Sequence, residues 1–482
     1  MSMARKKKSS VSGLNWTLLV VIGFTAQIAW VIENNWFANF LYADFGAKLG
    51  VVTAMTICSA VASTFSALFF GTLSDRIGSR KKLIAWGSVL WGIFTVAFGL
   101  THYLRADIYN DVMLVGVTIV AADVIMSFFG SMANDAGYNA WYADMLDDTN
   151  SGQIGALAAT MPVIATLVGT LVGGMIIGSE TFTKSDPIGG YVAFFTIVGV
   201  ITILVGIACF IFLKDSPDLK PVKEGSFWHQ FGSVFDFKSF IARKELALVF
   251  LTLMVFFIGY NCYFIHIMNW MNYTLGFNDP SLILGIPLVI AVLLSLVFIP
   301  VINRRRVPQV AAFSVILSIV ACLFVFFVVG PMADSFDTEN ALNLAANWPA
   351  FIGIIMAGAG YVIFMQSMTV WMKRLYPEEH RGQFEGIRVM FFVFFPMIAG
   401  PLIADPICRH FGEKVYQVVI DGSLKFITSG AASELGIDIT TAAEGYLPVN
   451  QLFIAAAIIS ALSLIPLFIA AKEYKKSSAE VR

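Results

Sequence analysis

Charged residues are scarce in this chain of 482 residues, because Asp, Glu, Lys and Arg make up 13% of it and hydrophobic residues make up 58%. The mean hydropathy is +0.78. Soluble globular domains carry roughly 25% charged residues. The composition therefore excludes a soluble fold and indicates a protein that lies in a lipid bilayer.

Paired metal or redox ligands are also lacking. The five cysteines show neither the paired spacing of a disulfide framework nor that of a zinc site. The five histidines form no metal-ligand pairs, and no nucleophile motif stands out. We therefore expect a protein that is not an enzyme and that carries no cofactor and no metal. The cysteines are Cys58, Cys209, Cys262, Cys322 and Cys408.

Long apolar runs are abundant. Nearly charge-free windows of the ~20 residues needed to cross the hydrocarbon core recur twelve times. A β-barrel would instead show alternating segments of roughly ten residues. The sequence therefore predicts an all-α membrane protein with twelve transmembrane helices. The windows are 16–41, 50–73, 83–103, 112–141, 154–178, 189–213, 246–275, 281–302, 308–331, 348–372, 386–405 and 448–471.

Lys and Arg are distributed unevenly between the two sides of these spans. If the N-terminal residues lie in the cytoplasm, most of the 31 Lys and Arg residues fall on that side, as the positive-inside rule requires. We therefore expect both termini in the cytoplasm and the protein in a plasma or inner membrane. No cleavage pattern precedes the first span, so we expect it to remain as a signal anchor. The basic residues left outside are Lys48, Arg105, Lys184, Arg409, Lys414 and Lys425.

A charged segment divides the chain near its middle. Residues 214–245 begin with KDSPDLKPVKEG, which is typical of a linker. Further on, Phe227, Phe231, Val234 and Phe235 recur at helical spacing and predict an interfacial helix. The predicted organisation is a cytoplasmic tail at 1–13, a six-helix bundle at 14–213, the linker at 214–245, a second six-helix bundle at 246–471 and a cytoplasmic tail at 472–482.

The two halves repeat one another. A shift of 230 residues places SGQIGAL at 151–157 on RGQFEGI at 381–387, and it also places the loop GTLSDRIGSRKK on VINRRRVPQVAA. Parallel six-helix repeats around a central cavity are the architecture of the major facilitator superfamily, which the chain resembles. The resemblance implies two pseudo-symmetric six-helix bundles.

The loop after the second span resembles that superfamily's G-x-x-x-D-R-x-G-x-[RK] signature. Its glycine can permit close helix packing, and its charged residues can cap helix ends and pair across the interface between the halves. We expect this loop to bias the choice between inward-closed and outward-closed states. Three residues at the start of the eleventh span resemble a gate pair. The candidate gating residues are Gly71, Asp75, Arg76, Arg80, Arg381, Glu385 and Arg388.

Four further motifs resemble the glycoside-pentoside-hexuronide cation symporters, especially the branch of the plant sucrose transporters and their animal relatives. The matches follow Q-x-x-W-x-x-[QE] in the first span, the end of R-A-L-x-A-D in the fourth, D-W-M in the seventh, and G-Q-G with a later Pro in the eleventh. The resemblance implies a carrier of saccharides. The matching residues are Gln27, Trp30, Glu33, Ala140, Ala143, Asp144, Asn269, Trp270, Met271, Gly382, Gln383 and Pro396.

Some positions depart from these relatives. Asn139 stands where the plant branch has Arg, and Asn269 stands where it has Asp. Asp135 coincides with the sugar-binding Asp of the melibiose-permease branch, but the sodium-binding carboxylates of that branch would fall on Ser63 and Ala67. The sequence therefore predicts no sodium site of that type.

Polar side chains form a seam on the fourth span. At about 100° per residue they share one face, and a seam this continuous must face a cavity rather than lipid. Polar and aromatic residues of the first and seventh spans fall on similar arcs. Hydroxyl, amide and carboxylate groups beside aromatic rings are what a pyranose needs. The candidate substrate-binding residues are Gln27, Trp30, Asn34, Asn134, Asp135, Tyr138, Asn139, His266, Asn269 and Trp270.

Three acids lie within the spans. A carboxylate at membrane depth costs about 2.5 to 3.5 kcal/mol, and a desolvated carboxyl group holds a proton more readily than one in water. Glu33 and Asp135 are therefore the candidates for proton coupling. Asp123 faces about 120° away from Asp135 at ideal helical spacing, and its role is not assigned. The predicted mechanism is alternating access around a central pocket.

Other functions are compatible with the same pattern. A sodium-coupled or uncoupled carrier of a galactoside, hexuronide or lysolipid would keep this fold, and a membrane receptor without transport is a more distant alternative. The coupling ion that we expect is H⁺, and the expected partners are a saccharide and the lipid bilayer. We expect no nucleic-acid partner and a monomeric chain.

Overall fold

The spanning helices are present in the structure of the protein, which is a computed structural model. Within the described residues, eleven helices are long and apolar enough to cross a membrane. A further helix, Ser151–Ile177, has 27 residues and occupies the predicted fifth span. The protein is therefore a helical membrane protein, as predicted. The described residues are 13–104, 112–145, 151–216, 219–222, 225–233, 237–303, 306–375, 387–420, 423–440 and 442–480.

A helix makes its backbone hydrogen bonds within its own segment, which suits a bilayer core that offers no hydrogen-bonding partners. We label these helices α1 to α12 in chain order. Their bounds are Gly13–Phe45, Leu49–Ile77, Lys81–Leu104, Leu114–Asp144, Ser151–Ile177, Gly189–Phe212, Lys244–Thr274, Pro280–Ile302, Val307–Ser335, Leu344–Met372, Ile387–Phe411 and Gln451–Lys476. Short helices outside the spans are Glu180–Thr183, Phe227–Ser233, Phe237–Ala242 and Ser429–Leu435.

Several spanning helices widen into a π-helical turn. Such a turn inserts one extra residue into the hydrogen-bond ladder, and it is frequent at functional sites. Because the extra residue shifts the register of the side chains, the helix does not keep one ideal face along its whole length. These turns are Ile32–Trp36 in α1, Met132–Tyr138 in α4, Trp270–Thr274 in α7, Val325–Val329 in α9 and Met390–Phe394 in α11.

The first half, α1 to α6, meets the second half, α7 to α12, along α5 with α8 and α2 with α11. Small residues allow the close approach of α5 and α8. A Cβ at Gly174 would meet the side chain of Ser281, and a Cβ at Gly285 would meet the side chain of Leu171. The interface therefore depends on bare backbone at these positions.

A small antiparallel sheet lies between α11 and α12, in a segment for which the sequence predicted no structure. Its strands are β1 Lys414–Ile420, β2 Ser423–Thr428 and β3 Glu444–Tyr446, in the order β2-β1-β3. We call the end of the molecule that carries these strands the sheet face. The opposite end, which carries the loop between α2 and α3, is the loop face.

The sheet belongs to the second half by sequence, but it binds the first half. Gln417 Nε2 donates to the Ala43 carbonyl at 2.7 Å, and the Tyr42 hydroxyl donates to the Tyr446 carbonyl at 3.1 Å. The Tyr446 amide donates to the Ala47 carbonyl at 3.0 Å. These contacts hold the turn between α1 and α2 against the sheet and close this end of the molecule.

The linker between the halves contains the short helix Phe227–Ser233. The rings of Phe227 and Phe231 lie 5.1 and 6.5 Å from the ring of Phe69 in α2. The helix thus packs on the first half near the loop face. Its predicted continuation at Val234 and Phe235 lies outside the described residues.

The contact of the sheet with the α1–α2 turn can be tested at Gly445. A Cβ there would lie 1.9 Å from the Ala47 carbonyl oxygen, which is backbone and cannot move aside. We expect Gly445→Ala to destabilise the protein by about 1–3 kcal/mol, as overpacking does, and to lower the melting temperature in detergent.

Gly116→Ala is the matched control, because a Cβ at Gly116 makes an ordinary 3.6 Å contact with Val51. Intrinsic fluorescence during heating measures both variants. Equal melting temperatures for the two variants would contradict the close contact at Gly445.

Candidate functional site

Glu33 and Asp135, the predicted coupling acids, both lie in π-helical turns. Glu33 belongs to Ile32–Trp36 of α1, and Asp135 belongs to Met132–Tyr138 of α4. Both residues are partly exposed, although most neighbours in these turns are buried. The two acids therefore stand where the helices are locally widened and where some open space reaches them.

Serine hydroxyls line the contact between α2 and α4, which run side by side in the same direction. Ser59 of α2 donates to the carboxylate of Asp123 in α4. One turn further along both helices, Ser63 Oγ lies 3.5 Å from the Ser127 carbonyl oxygen. Ser131 Oγ lies 2.8 Å from the Ser63 carbonyl oxygen. A polar seam thus follows this helix pair through the interior.

Glu33 joins the seam from α1. Ser127 Oγ donates to Glu33 Oε1 at 2.8 Å, and Glu33 lies within electrostatic range of both Asp123 and Asp135. Glu33 Oε2 and Asp123 Oδ1 are buried and have no hydrogen-bond partner among the described residues. Each of these two acids is therefore held by one hydroxyl and keeps one unsatisfied oxygen.

Asp135 is the third acid of the seam, and it faces a base from the other half. Ser131 Oγ lies 2.7 Å from Asp135 Oδ2, and Asn134 Nδ2 donates to Oδ1 at 3.0 Å. Arg388 of α11 lies within electrostatic range of Asp135, with its guanidinium 5.4 Å from the ring centre of Phe392. Opposite charges of the two halves thus approach each other at this point.

The predicted substrate-binding residues of α1 lie on one stretch of that helix. Gln27, Trp30 and Asn34 are all partly exposed. The Asn34 amide donates to the Trp30 carbonyl at 2.8 Å, and the indole of Trp30 packs 5.2 Å from that of Trp91. Asn139, one turn after Asp135, is partly exposed as well.

Asn134 and Tyr138 turn into the first bundle instead. The Tyr138 hydroxyl donates to the Leu19 carbonyl at 2.8 Å, and Tyr138 is only 5% exposed. Both residues line a small cavity together with Thr25 and Ser88. In this conformation they shape the interior of the bundle.

The predicted residues of α7 are buried and close to the sheet face. His266 is 1% exposed, and neither ring nitrogen has a hydrogen-bond partner among the described residues. Trp270 Nε1 donates to Asn450 Oδ1 at 2.8 Å. Asn39 Nδ2 of α1 donates to Asn269 Oδ1, also at 2.8 Å. The side chains of Asn269 and Trp270 therefore form hydrogen bonds with neighbouring segments.

The loop between α2 and α3 is held by ion pairs within the first half. Arg80 lies 2.7 Å from Asp75 and 3.1 Å from Asp144 at the end of α4. Asp215, at the start of the linker, accepts a hydrogen bond from the Arg80 amide at 2.8 Å. Arg76 donates to a linker carbonyl at 3.0 Å. The signature residues thus connect α3, α4 and the linker.

Of the remaining predicted gating residues, Gly71 and Arg388 lie within the described part of the chain. A Cβ at Gly71 would meet no atom of the described residues within 4 Å, so the close packing expected there is absent from this conformation. Arg381 and Glu385 lie outside the described residues.

A family model of the Major Facilitator Superfamily matches residues 19–401. The chain belongs to this superfamily. It is a multi-pass membrane transporter and not an enzyme. The comparison with curated proteins gives no match.

Solved transporters share the fold at low sequence identity. A bacterial homologue of the human lysosomal transporter Spinster, inward-facing and unoccupied, is 13% identical, with a TM-score of 0.66 over 98% of this chain and 99% of that one. A variant of the nucleoside transporter NupG is 14% identical, with a TM-score of 0.63 over 95% and 98%. A D-xylose-proton symporter is 13% identical, with a TM-score of 0.61 over 93% and 96%. Likenesses at such low identity show the fold alone.

Sequence reasoning predicted a polar seam on the fourth span but missed that Asp123 belongs to it, and it missed the Asn39–Asn269 pair. From Asp123 to Asp135, α4 carries an acid or a serine at every fourth position, which was a signal for one continuous seam. Asn39 stands 230 residues before Asn269, and this is the shift that relates the two halves. The pair therefore joins equivalent positions of the repeat, where their helices meet.

The Asn39–Asn269 pair can be tested with a double-mutant cycle. Each single Ala substitution leaves a buried amide without its partner, so we expect each to cost about 1–3 kcal/mol. The double substitution should cost less than the sum of the two, with a coupling of about 0.5–3 kcal/mol. Thermal unfolding of the four proteins in detergent measures the cycle.

The control cycle pairs Asn39→Ala with Asn347→Ala, whose amide caps a turn at the start of α10 and contacts neither asparagine of the pair. That control should be additive. Additivity in the Asn39–Asn269 cycle would show that the two amides do not depend on each other.

Proposed function

We propose that this transporter is a proton-coupled symporter of a saccharide and that it works by alternating access. The observation that carries the proposal is the setting of Asp135. This partly exposed carboxylate lies in a π-helical turn, is held by Ser131 and Asn134, and is close to Arg388 of the other half. An acid so placed can bind a proton, accept a sugar hydroxyl and respond to movement of the second half.

The predicted substrate-binding residues of α1 and α4 suit a pyranose. Gln27 and Asn34 supply amides, Trp30 supplies an indole face, and Asn139 supplies a further amide one turn along α4. Sugar hydroxyls prefer amide and carboxylate partners, and a sugar C–H face packs on an aromatic ring. A D-xylose-proton symporter shares the fold, which is in keeping with this substrate class.

We place both termini in the cytoplasm of a plasma or inner membrane and the sheet face outside, because Lys and Arg concentrate on the side of the termini. With the sheet face closed by Asn39, Asn269 and the sheet, the described conformation is then inward-facing. His266, Asn269 and Trp270 would reach the substrate only when the sheet face opens.

The transport cycle follows from these positions. A proton and a sugar enter the outward-open cavity, the halves rock about the site, and both leave on the cytoplasmic side. One charge that crosses 100 mV supplies about 2.3 kcal/mol, and hundredfold accumulation needs about 2.8 kcal/mol. One proton with a modest pH gradient therefore suffices.

The first test is uptake by proteoliposomes that contain the purified protein. A panel of labelled monosaccharides and disaccharides is tested for counterflow, with internal pH recorded at the same time. Imposed proton and sodium gradients are then applied separately. We expect one saccharide to accumulate with an inward proton gradient and not with a sodium gradient. Accumulation that follows sodium alone, or no counterflow of any saccharide, would overturn the proposal.

The second test is Asp135→Asn. We expect the variant to lose at least tenfold in accumulation driven by the proton gradient, because an amide carries neither a proton nor the negative charge that faces Arg388. Asp334→Asn is the control, since Asp334 is exposed in the last turn of α9, and it should accumulate sugar as the parent does. A variant at 135 that still concentrates sugar would refute this assignment.

A further inference from the structure

Asp123 is a buried acid to which the proposed transport cycle assigns no role. It lies in α4 twelve residues before Asp135, which corresponds to about 18 Å along a helix, on the side of the sheet face. It is 1% exposed. A carboxylate so deeply buried needs either a partner or a proton, because the free charge is costly at membrane depth.

Among the described residues, only one of the two carboxylate oxygens of Asp123 has a hydrogen-bond donor. Ser59 donates to Oδ2, whereas Oδ1 has no hydrogen-bond partner among the described residues. Ser127, one turn further along α4, donates to Glu33 Oε1, and Glu33 Oε2 is also unpartnered. Two carboxyl groups, held by serines of the neighbouring helices α2 and α4 and within electrostatic range of each other, thus each keep one buried oxygen without a partner among the described residues.

We propose that Glu33 and Asp123 form an acid pair that shares one proton, and that this pair, not Asp135 alone, is the proton-binding site of the transporter. The inference deepens the proposed symport. One proton from water binds one carboxylate oxygen, and the resulting O–H donates to the bare oxygen of the other acid. The pair then carries one negative charge instead of two, and both bare oxygens are satisfied by a single hydrogen bond.

Physical chemistry favours one proton on such a pair. Two carboxylates close together in a medium of low dielectric constant cannot both ionise, so they titrate as a unit. Among the described residues, the charged groups within range of Glu33 are Asp123 and Asp135, and Arg388 faces Asp135 from α11. From α2, the hydroxyl of Ser59 faces the pair. Arg388 thus compensates Asp135, which leaves the pair to hold the proton.

The arrangement separates the proton from the sugar. Asp135 lies within electrostatic range of Arg388 in the second half, whereas Asp123 lies about three turns closer to the sheet face. Ser127 and Ser131 occupy the two intermediate turns of α4 between these acids. Glu33 contacts the seam at Ser127, between Asp123 and Asp135. The charge of Glu33 therefore acts on both of these acids.

Infrared difference spectroscopy of the purified protein in lipid vesicles tests the pair without any saccharide. A buried protonated carboxyl group gives a C=O band that shifts in D₂O, and its loss with rising pH reports the titration. We expect one such titration from the pair in the parent protein, and we expect Glu33→Gln with Asp123→Asn together to abolish it. Each single substitution should leave an acid that loses its proton at lower pH, because its charged neighbour is gone.

The milder variant Ser59→Ala, which keeps both acids, should also move the titration because it removes the hydroxyl that holds Asp123. Asp334→Asn should leave it unchanged. An Asp123→Asn titration identical to that of the parent would overturn the shared proton, as would a titration that moves when sodium chloride replaces choline chloride.

Transport then separates this inference from the proposed function. With the saccharide found by counterflow, Asp123→Asn should keep counterflow and lose at least tenfold in proton-driven accumulation. Full accumulation by this variant would overturn the role of the pair even if symport itself is established. A failed saccharide panel would leave the infrared result standing.

Discussion

The cost of a carboxylate away from water is the constraint on which the interior of this transporter depends. Hydrocarbon offers no hydrogen bonds, so Glu33, Asp123 and Asp135 must find partners within the protein. The serines of α2 and α4 supply them, and the packing of these helices is organised around that requirement. The same helices could have packed through small apolar residues alone. That they carry acids instead is the main reason why the proposed proton coupling is assigned to the first half.

The second organising feature is the relation between the halves. At the sheet face, Asn39 and Asn269 occupy equivalent positions of the repeat and bind each other. A residue near the axis of a two-fold arrangement meets its own counterpart, so a side chain that both donates and accepts suits this position. An amide meets that requirement, whereas two acids or two bases would repel. The Asn at 269, where the sucrose-transporter branch has Asp, is consistent with this geometry.

Much of the architecture could be predicted from the sequence, because long apolar windows identify spanning helices under a simple physical rule. The superfamily followed from the repeat and the loop signature.

The arrangement of the site was harder to predict from the sequence. An ideal 100° per residue separates Asp123 from Asp135 by about 120°, yet serines at four-residue intervals and the π-helical turn at Met132–Tyr138 join them into one seam. Helical spacing placed Tyr138 on the polar face, but its hydroxyl donates to the Leu19 carbonyl inside the bundle. The strands after α11 had no amphipathic pattern strong enough to predict them, and their hydrogen bonds to the α1–α2 turn join residues far apart in the sequence.

Those strands constrain how the molecule can move. Gln417 and Tyr446 are hydrogen-bonded to the turn between α1 and α2, although they belong to the segment that connects α11 to α12. If the halves tilt apart at this end, one of two things must happen. Either the hydrogen bonds to the α1–α2 turn break, or the strands move together with the first half. In the second case, the short stretches that flank them must act as two flexible tethers. The entrance at the sheet face would then open along one side only, and solute would enter past α7 rather than past α1.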